Sequence, residues 1–158
     1  MSRWCLSLSL LVVACGATTS PCGPTTGVVD SVVDGDTINL SSGERIRYLL
    51  ADTPESTGGK NDCYGVTATD YNRSLVQGKQ VTLRYDAECK DRFNRLLAYV
   101  TVDGVEVNSK LVSEGYACVL YLPPDGQSRK EEFETLQSVA KTERRGMWGA
   151  CQTVTCGN

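Results

Sequence analysis

The chain has 158 residues, with 16 Lys or Arg, 19 Asp or Glu, no His and a formal charge of −3. Without imidazole there is no Ser-His or Cys-His nucleophile pair, no HExxH zinc site and no histidine base, so acid-base work falls to carboxylates, Tyr, Lys or metal-bound water. The length fits one domain with one core, the 41% apolar and 22% charged content is ordinary for a globular protein, and no window reaches the ~18 apolar residues of a membrane span.

Met1 to Ala14 carries Arg3 followed by an apolar run too short to cross a bilayer, which predicts a signal peptide over residues 1–14. Val12-Val13-Ala14-Cys15 resembles the bacterial lipobox, in which cleavage precedes a lipid-modified cysteine. The expectation is a mature chain beginning at a lipidated Cys15 that holds it to a membrane, with ordinary cleavage a few residues later as the alternative. Both readings export the protein, as a cell-envelope lipoprotein or a secreted one. Loss of Arg3 leaves 15 basic residues against 19 acidic, a formal charge of −4. That is the wrong sign for general attraction to nucleic acid, so an anionic substrate needs a local cationic cluster or a metal.

Residues 15–26 are nearly all Thr, Gly, Pro and other uncharged types and read as a tether; a domain is expected over 27–151 and a tail over 152–158. Outside the signal and the cleavage point six cysteines remain: Cys22, Cys63, Cys89, Cys118, Cys151 and Cys156. An even number in an exported chain suggests three disulfides, with connectivity open; zinc is disfavoured because there is no CxxC and no His.

Three short strands come first: Gly27 to Val33, Thr37 to Leu40 across the turn Asp34-Gly35-Asp36, and Glu44 to Leu50 after Ser41-Ser42-Gly43. A helix follows over Val66 to Val76, then strands at Gln80 to Tyr85 and Leu96 to Val102. Asn108 is expected to cap a short helix through Lys110 to Glu114. Ala117 to Leu122 reads as extended, and Arg129 to Arg144 as a polar amphipathic helix ending before Gly146.

Chemistry concentrates in three segments. Asp34-Gly35-Asp36-Thr37 brings two acids together at a strand end, although taken alone it reads equally as a solvated hairpin turn. Arg47 to Glu55 is an apolar strand with an arginine inside it and Asp52, Thr53 and Glu55 after it; the bland reading is an internal salt bridge. Lys90-Asp91-Arg92-Phe93-Asn94-Arg95 puts three cations and an aromatic ring in six residues, a combination suited to phosphate and base contacts but also to a polar loop. Together they offer acids for a hard divalent cation, planar forks for phosphate, and a carboxylate to act on water.

DGDT, R-x4-D-T-P-E, D-R-F-x-R-x-L-A-Y-V, and then Val107-Asn108, Leu111-Val112 and Glu114-Gly115-Tyr116-Ala117 follow the order and approximate spacing of the staphylococcal nuclease family, from about Gly27 to Trp148. The resemblance implies a mainly β fold with α, a five-stranded OB-fold barrel with about three helices. It also implies a calcium-dependent phosphodiesterase that hydrolyses DNA or RNA to 3′-phosphates. By motif position, Asp36 and Asp52 then resemble calcium ligands and Thr53 the donor of a backbone carbonyl. Asp34 resembles an acid one step outside the ligands, Arg47 and Arg95 the phosphate clamp, and Glu55 the carboxylate that activates water. Arg92, Phe93 and Tyr121 resemble substrate contacts, with Phe93 standing where the family has a tyrosine and Pro123 in place of a second late tyrosine. A monomer is expected. The resembling fold also implies bridges Cys63–Cys89, Cys118–Cys151 and Cys22–Cys156.

Three other functions fit these residues less well. A silent OB module that binds nucleic acid has no need of the full set of acids and arginines present here. An aspartic protease needs Asp-Thr-Gly, whereas Asp36-Thr37 and Asp52-Thr53 lack the glycine. A glycosidase leaves the arginines unexplained.

Overall fold

The computed structural model describes residues 20–156; the signal segment, Cys15 and the last two residues of the tail lie outside them. Chain order is β1 (Thr26–Asp34), β2 (Thr37–Leu40), β3 (Arg45–Tyr48), α1 (Gly65–Val76), β4 (Gln80–Arg84), β5 (Leu96–Val102), β6 (Val105–Glu106), α2 (Val107–Ser113), α3 (Lys130–Thr142) and α4 (Met147–Ala150). The sheet runs β3-β2-β1-β4-β5-β6, and a further pairing of β3 with β5 closes the first five strands into a barrel. All ladders are antiparallel except β3–β5, which is parallel with Ile46 opposite Leu96 and Tyr48 opposite Ala98. This is the OB-type barrel that the sequence led us to expect.

Closure depends on β1. Its first residues pair with β4 and its last with β2, and register irregularities between Val29 and Ser31 and between Val32 and Asp34 bend it so that one strand serves both. The barrel interior is filled by Val29, Ile38, Ile46, Val81, Leu83, Leu96, Ala98 and Val100, all buried. Leu111 and Val112 of α2 and Phe133 of α3 extend that core, while Asn72 of α1 reaches back to the β1–β2 turn, its amide donating to the Asp34 carbonyl (3.1 Å) and its oxygen accepting from the Tyr48 hydroxyl (3.0 Å).

Three features, the place of Asn108, the packing of residues 20–26 and the cysteine pairing, differ from the sequence reading. Asn108 does not cap α2; it lies within it, fully buried, where its oxygen accepts from Val100 N (2.8 Å) and its amide donates to Leu49 O (2.9 Å) and Ala98 O (3.1 Å). A buried amide finds partners where the barrel leaves backbone groups open, and here that is between β3 and β5. Residues 117–122, read as extended and not counted among the barrel strands, lie outside the sheet, with a single antiparallel bridge between Cys118 and Asp52. Residues 20–26, assigned from composition to a tether, pack on the barrel: Leu83 N donates to Thr25 O and the Tyr85 hydroxyl to Pro24 O (2.6 Å).

None of the expected cysteine pairings forms. The bridges are Cys22–Cys89, Cys63–Cys151 and Cys118–Cys156. The N-terminal segment lies along β4, which brings Cys22 to the loop that follows β4. Cys63 precedes α1, whose Tyr71 stacks on Tyr116 at 3.9 Å, so it sits by the α2 end of the molecule and α4. The tail then has Cys118 as its neighbour.

Candidate active site

The β1–β2 turn delivers Asp36 to one rim of the barrel. Asp36 is buried, and both of its carboxylate oxygens have protein partners. Oδ1 meets Arg47 Nη1 at 3.0 Å and the Thr37 hydroxyl at 3.0 Å; Oδ2 accepts from Thr53 N at 2.8 Å and from the Thr53 hydroxyl at 3.1 Å. Asp34 Oδ1 accepts from Asp36 N at 3.1 Å and shapes the turn. Gly35 is required for space rather than for turning: a Cβ there meets Thr53 Oγ1 at 2.5 Å, and only a bare backbone lets Thr53 close over Asp36.

From β3 comes Arg47, beyond which Leu50, at φ 58°, turns the chain out of the barrel toward Asp52. The Arg47 guanidinium lies between Asp36 and Asp52, whose Oδ1 it meets through Nη2 at 2.7 Å, and Nη1 also donates to the carbonyls of Tyr48 and Ala51. Nε carries no bond to the described protein. The salt-bridge reading of Arg47 is thus correct as geometry, yet the arginine is paired with two acids of different segments in one cleft.

Glu55 is fixed through its backbone: its N–H donates to Asp62 Oδ2 (3.2 Å) and its carbonyl accepts from Asp62 N (2.9 Å). Its side chain accepts at Oε2 from the Thr57 hydroxyl (3.3 Å), and Oε1 has no donor among the described residues.

Arg95 immediately precedes β5, at the end of a tight loop organised by Asp91, a residue to which the sequence reading gave no role. Asp91 Oδ1 accepts from the backbone N–H of Phe93 (2.9 Å) and of Arg95 (3.0 Å), and Oδ2 meets Arg95 Nε and Nη2, each at 2.7 Å. Burial raises the Asp91 carboxyl, but the Arg95 and Phe93 donors and the Arg95 charge outweigh it and hold it below the usual carboxylate range. An acid set among three cations was the available signal. Phe93 is 64% exposed, with the Arg92 and Arg95 guanidinium carbons 4.8 and 5.4 Å from its ring centre.

One cleft of about 770 Å³ is bordered by Asp34, Asp36, Arg47, Asp52, Glu55 and the Asp91–Phe93 and Arg95 loop, and its apolar wall is Leu120, Leu122 and Pro123. Tyr121 is not on it. Side chains along an extended segment alternate, so Leu120 and Leu122 line the cleft while Tyr121 turns away to Gln127 and the Lys130 ammonium. Burial, and then the charge of Asp36, push the Asp34 carboxyl up to about 7.

For a metal, the donor set consists of carboxylate and carbonyl oxygens, which fits a hard divalent cation and no softer one. Among the described residues no three acidic side chains are gathered as a finished cage, since Asp36 and Asp52 are both drawn onto Arg47.

Residues 45–150 match the family described as staphylococcal nuclease homologue. The chain is 37% identical over 134 residues to the SPbeta prophage-derived endonuclease YokF of Bacillus subtilis, covering 80% of this chain and 45% of that protein. It is 33% identical to a thermonuclease of Staphylococcus intermedius (77% and 74% covered) and 35% identical to an uncharacterized endonuclease of Escherichia coli (84% and 83%). It spans less than two thirds of the length of the Bacillus relatives it matches. With the match running from β3 through α4 over the same barrel that assembles Arg47, Glu55 and Arg95, the chain belongs to the staphylococcal nuclease family.

Proposed function

We propose that the protein is a calcium-dependent phosphodiesterase that cleaves DNA, RNA or both to leave 3′-phosphates. The observation that carries this reading is the convergence of two arginines, a carboxylate with a free oxygen and two further acids on one cleft. Relatives bearing the names thermonuclease and endonuclease support it.

In this reading Asp36, Asp52 and the Thr53 carbonyl hold the cation, which when bound supplies positive charge to the scissile phosphate. Arg47, through its free Nε edge, and Arg95, through Nη1, bind the phosphate oxygens as their negative charge grows. Glu55 Oε1 takes a proton from water as its oxygen attacks phosphorus. The P–O5′ bond breaks, the 5′-oxygen leaves as a hydroxyl with a proton from solvent, and the 3′-phosphate remains. Asp91 holds the Arg95 fork. Leu120, Leu122 and Pro123 reduce water access on one side.

Export as a monomer with a lipid on Cys15 is part of the proposal, supported by the apolar run and the Val-Val-Ala-Cys sequence at residues 12–15. Mass spectrometry of the mature N-terminus tests it: an unmodified terminus beyond Cys15 refutes the lipid.

The chemistry is tested on single- and double-stranded DNA and RNA with calcium or EGTA, comparing the parent with Glu55→Gln. The expected result is cleavage that stops with EGTA, 3′-phosphate ends, and a fall of ~10²-fold in kcat for Glu55→Gln with substrate affinity retained. Parent-rate cleavage by Glu55→Gln, or indifference to EGTA, refutes the assignment. Binding without any cleavage identifies a silent nucleic-acid module instead.

A further inference from the structure

Phe93 separates two depressions. One is the cleft already described; the other is a groove of about 700 Å³ that shares Lys90, Phe93 and Arg95 with it and adds Asn39, Ser42 and Arg45. The parallel register of β3 and β5 sets Ile46 opposite Leu96, so Arg45 and Arg95, one residue before each, stand at the same level of the barrel. The Cys22–Cys89 bridge ties the N-terminal segment to the loop beside Lys90, and Cys22 forms part of the groove wall.

The cations of the two depressions are used differently. In the cleft, Arg47 and Arg95 each meet a carboxylate. In the groove, Arg45 Nε donates to Asn39 Oδ1 at 3.0 Å and Lys90 Nζ to Asn94 Oδ1 at 2.9 Å, both neutral amides. Among the described residues neither cation forms an ion pair, and both side chains are exposed. Two cations without counter-ions next to an exposed ring, on a chain of net negative charge, form a local anion site that the molecule's overall field does not supply. Glu44 is the one acid on the groove, with its carboxylate accepting from the Ser42 hydroxyl.

We propose that this groove is a second subsite for a single-stranded polynucleotide. Arg45 and Lys90 hold a backbone phosphate at least one nucleotide away from the scissile bond, and the intervening base stacks on Phe93. A base reaches that ring only when it is free of its complement, so the groove selects unpaired strands and strands longer than a dinucleotide. This deepens the phosphodiesterase reading and rests on it for the position of the scissile bond.

The test compares the parent with Arg45→Ala, at a residue that borders the groove and not the catalytic cleft, using a fluorescein-labelled 12-nucleotide oligothymidylate and a thymidine dinucleotide. Binding is read by anisotropy in EGTA over a salt series, and cleavage is read separately with calcium. The expected result is a roughly fivefold higher Kd for the 12-mer and a salt slope of log K shallower by up to about 0.7, the value for one phosphate contact on a single strand. Dinucleotide affinity and cleavage are expected to stay at the parent level. The charge-keeping exchange Arg45→Lys is expected to restore the slope. An unchanged 12-mer Kd and slope, or equal weakening of the dinucleotide, overturns the subsite. A parent that binds the 12-mer with the full slope but cleaves nothing refutes the phosphodiesterase reading alone, since binding is measured without turnover.

Discussion

Replacing Asp91 by Asn separates two tasks that this side chain performs. An asparagine oxygen can still accept from the Phe93 and Arg95 backbone N–H groups, so the loop keeps its turn, but its amide now presents donors to the Arg95 fork. Two charge-assisted contacts at 2.7 Å are lost. A hydrogen bond to a charged group contributes ~1.5–3 kcal/mol. Both contacts share one acceptor oxygen and the pair is partly open to solvent, with side chains 26% and 18% exposed, so a net cost of about 2 kcal/mol is expected. For a domain of this size that lowers Tm by roughly 4–8 °C. Arg95, released to sample other rotamers, is expected to lose about tenfold in kcat, more than in substrate affinity. The pH dependence gives a separate check. Because the folded Asp91 titrates below the ordinary aspartate value of 3.8, its stabilisation is complete above that value and disappears as pH falls through the lower, folded one. Thermal melts of the parent and Asp91→Asn should therefore differ at pH 7 and converge on acidification below 3.8. A Tm gap that persists undiminished at low pH, or a variant with the parent's kcat, refutes the account.

Two further substitutions probe the support of the acids. Gly35→Ala sets a methyl 2.5 Å from Thr53 Oγ1 and is expected to cost ~1–3 kcal/mol in chemical denaturation while raising the calcium needed for half-maximal activity, because Thr53 must withdraw from Asp36; an unchanged calcium requirement contradicts this. Asn108→Ala leaves Val100 N and Leu49 O without their buried partner and is expected to lower stability by about 3 kcal/mol in urea melts, with a loss under 1 kcal/mol counting against that role.

The barrel was legible because its strands announce themselves locally. Thr37–Leu40 and Leu96–Val102 were bounded correctly by runs of β-branched and aromatic residues between turn signals, and α1 and α3 were located by their periodicity to within one or two residues at each end. What could not be read is anything set by two distant segments meeting. Asn108 precedes Lys110 and Leu111 as a cap would, and only the open backbone groups between β3 and β5 draw it inside. Cysteine spacing is silent on which loops adjoin. Gly35 reads as a turn glycine, yet the constraint on it comes from Thr53, a residue of another segment. Within the site, Arg47, Glu55 and Arg95 were found by motif and do border one cleft with Asp36 and Asp52. Asp91 was overlooked because its work is done through Arg95, and Tyr121 falls outside this cleft because the phase of an extended segment, rather than its composition, decides which side chains turn inward.

The parallel contact of β3 with β5 has a bearing on when the protein can act at all. It joins residues near 46 to residues near 96, the longest chain separation among the barrel's ladders apart from that of β1 with β4, and closing so large a loop is entropically slow. Arg47 lies on one side of this seam and Arg95 at the end of the other. A chain with its hairpins made but its barrel still open would hold the two arginines on unconnected pieces, unable to grip one phosphate. Hydrolytic competence should then emerge in a single late step of folding, and the nascent or partly unfolded polypeptide should be harmless to any nucleic acid around it.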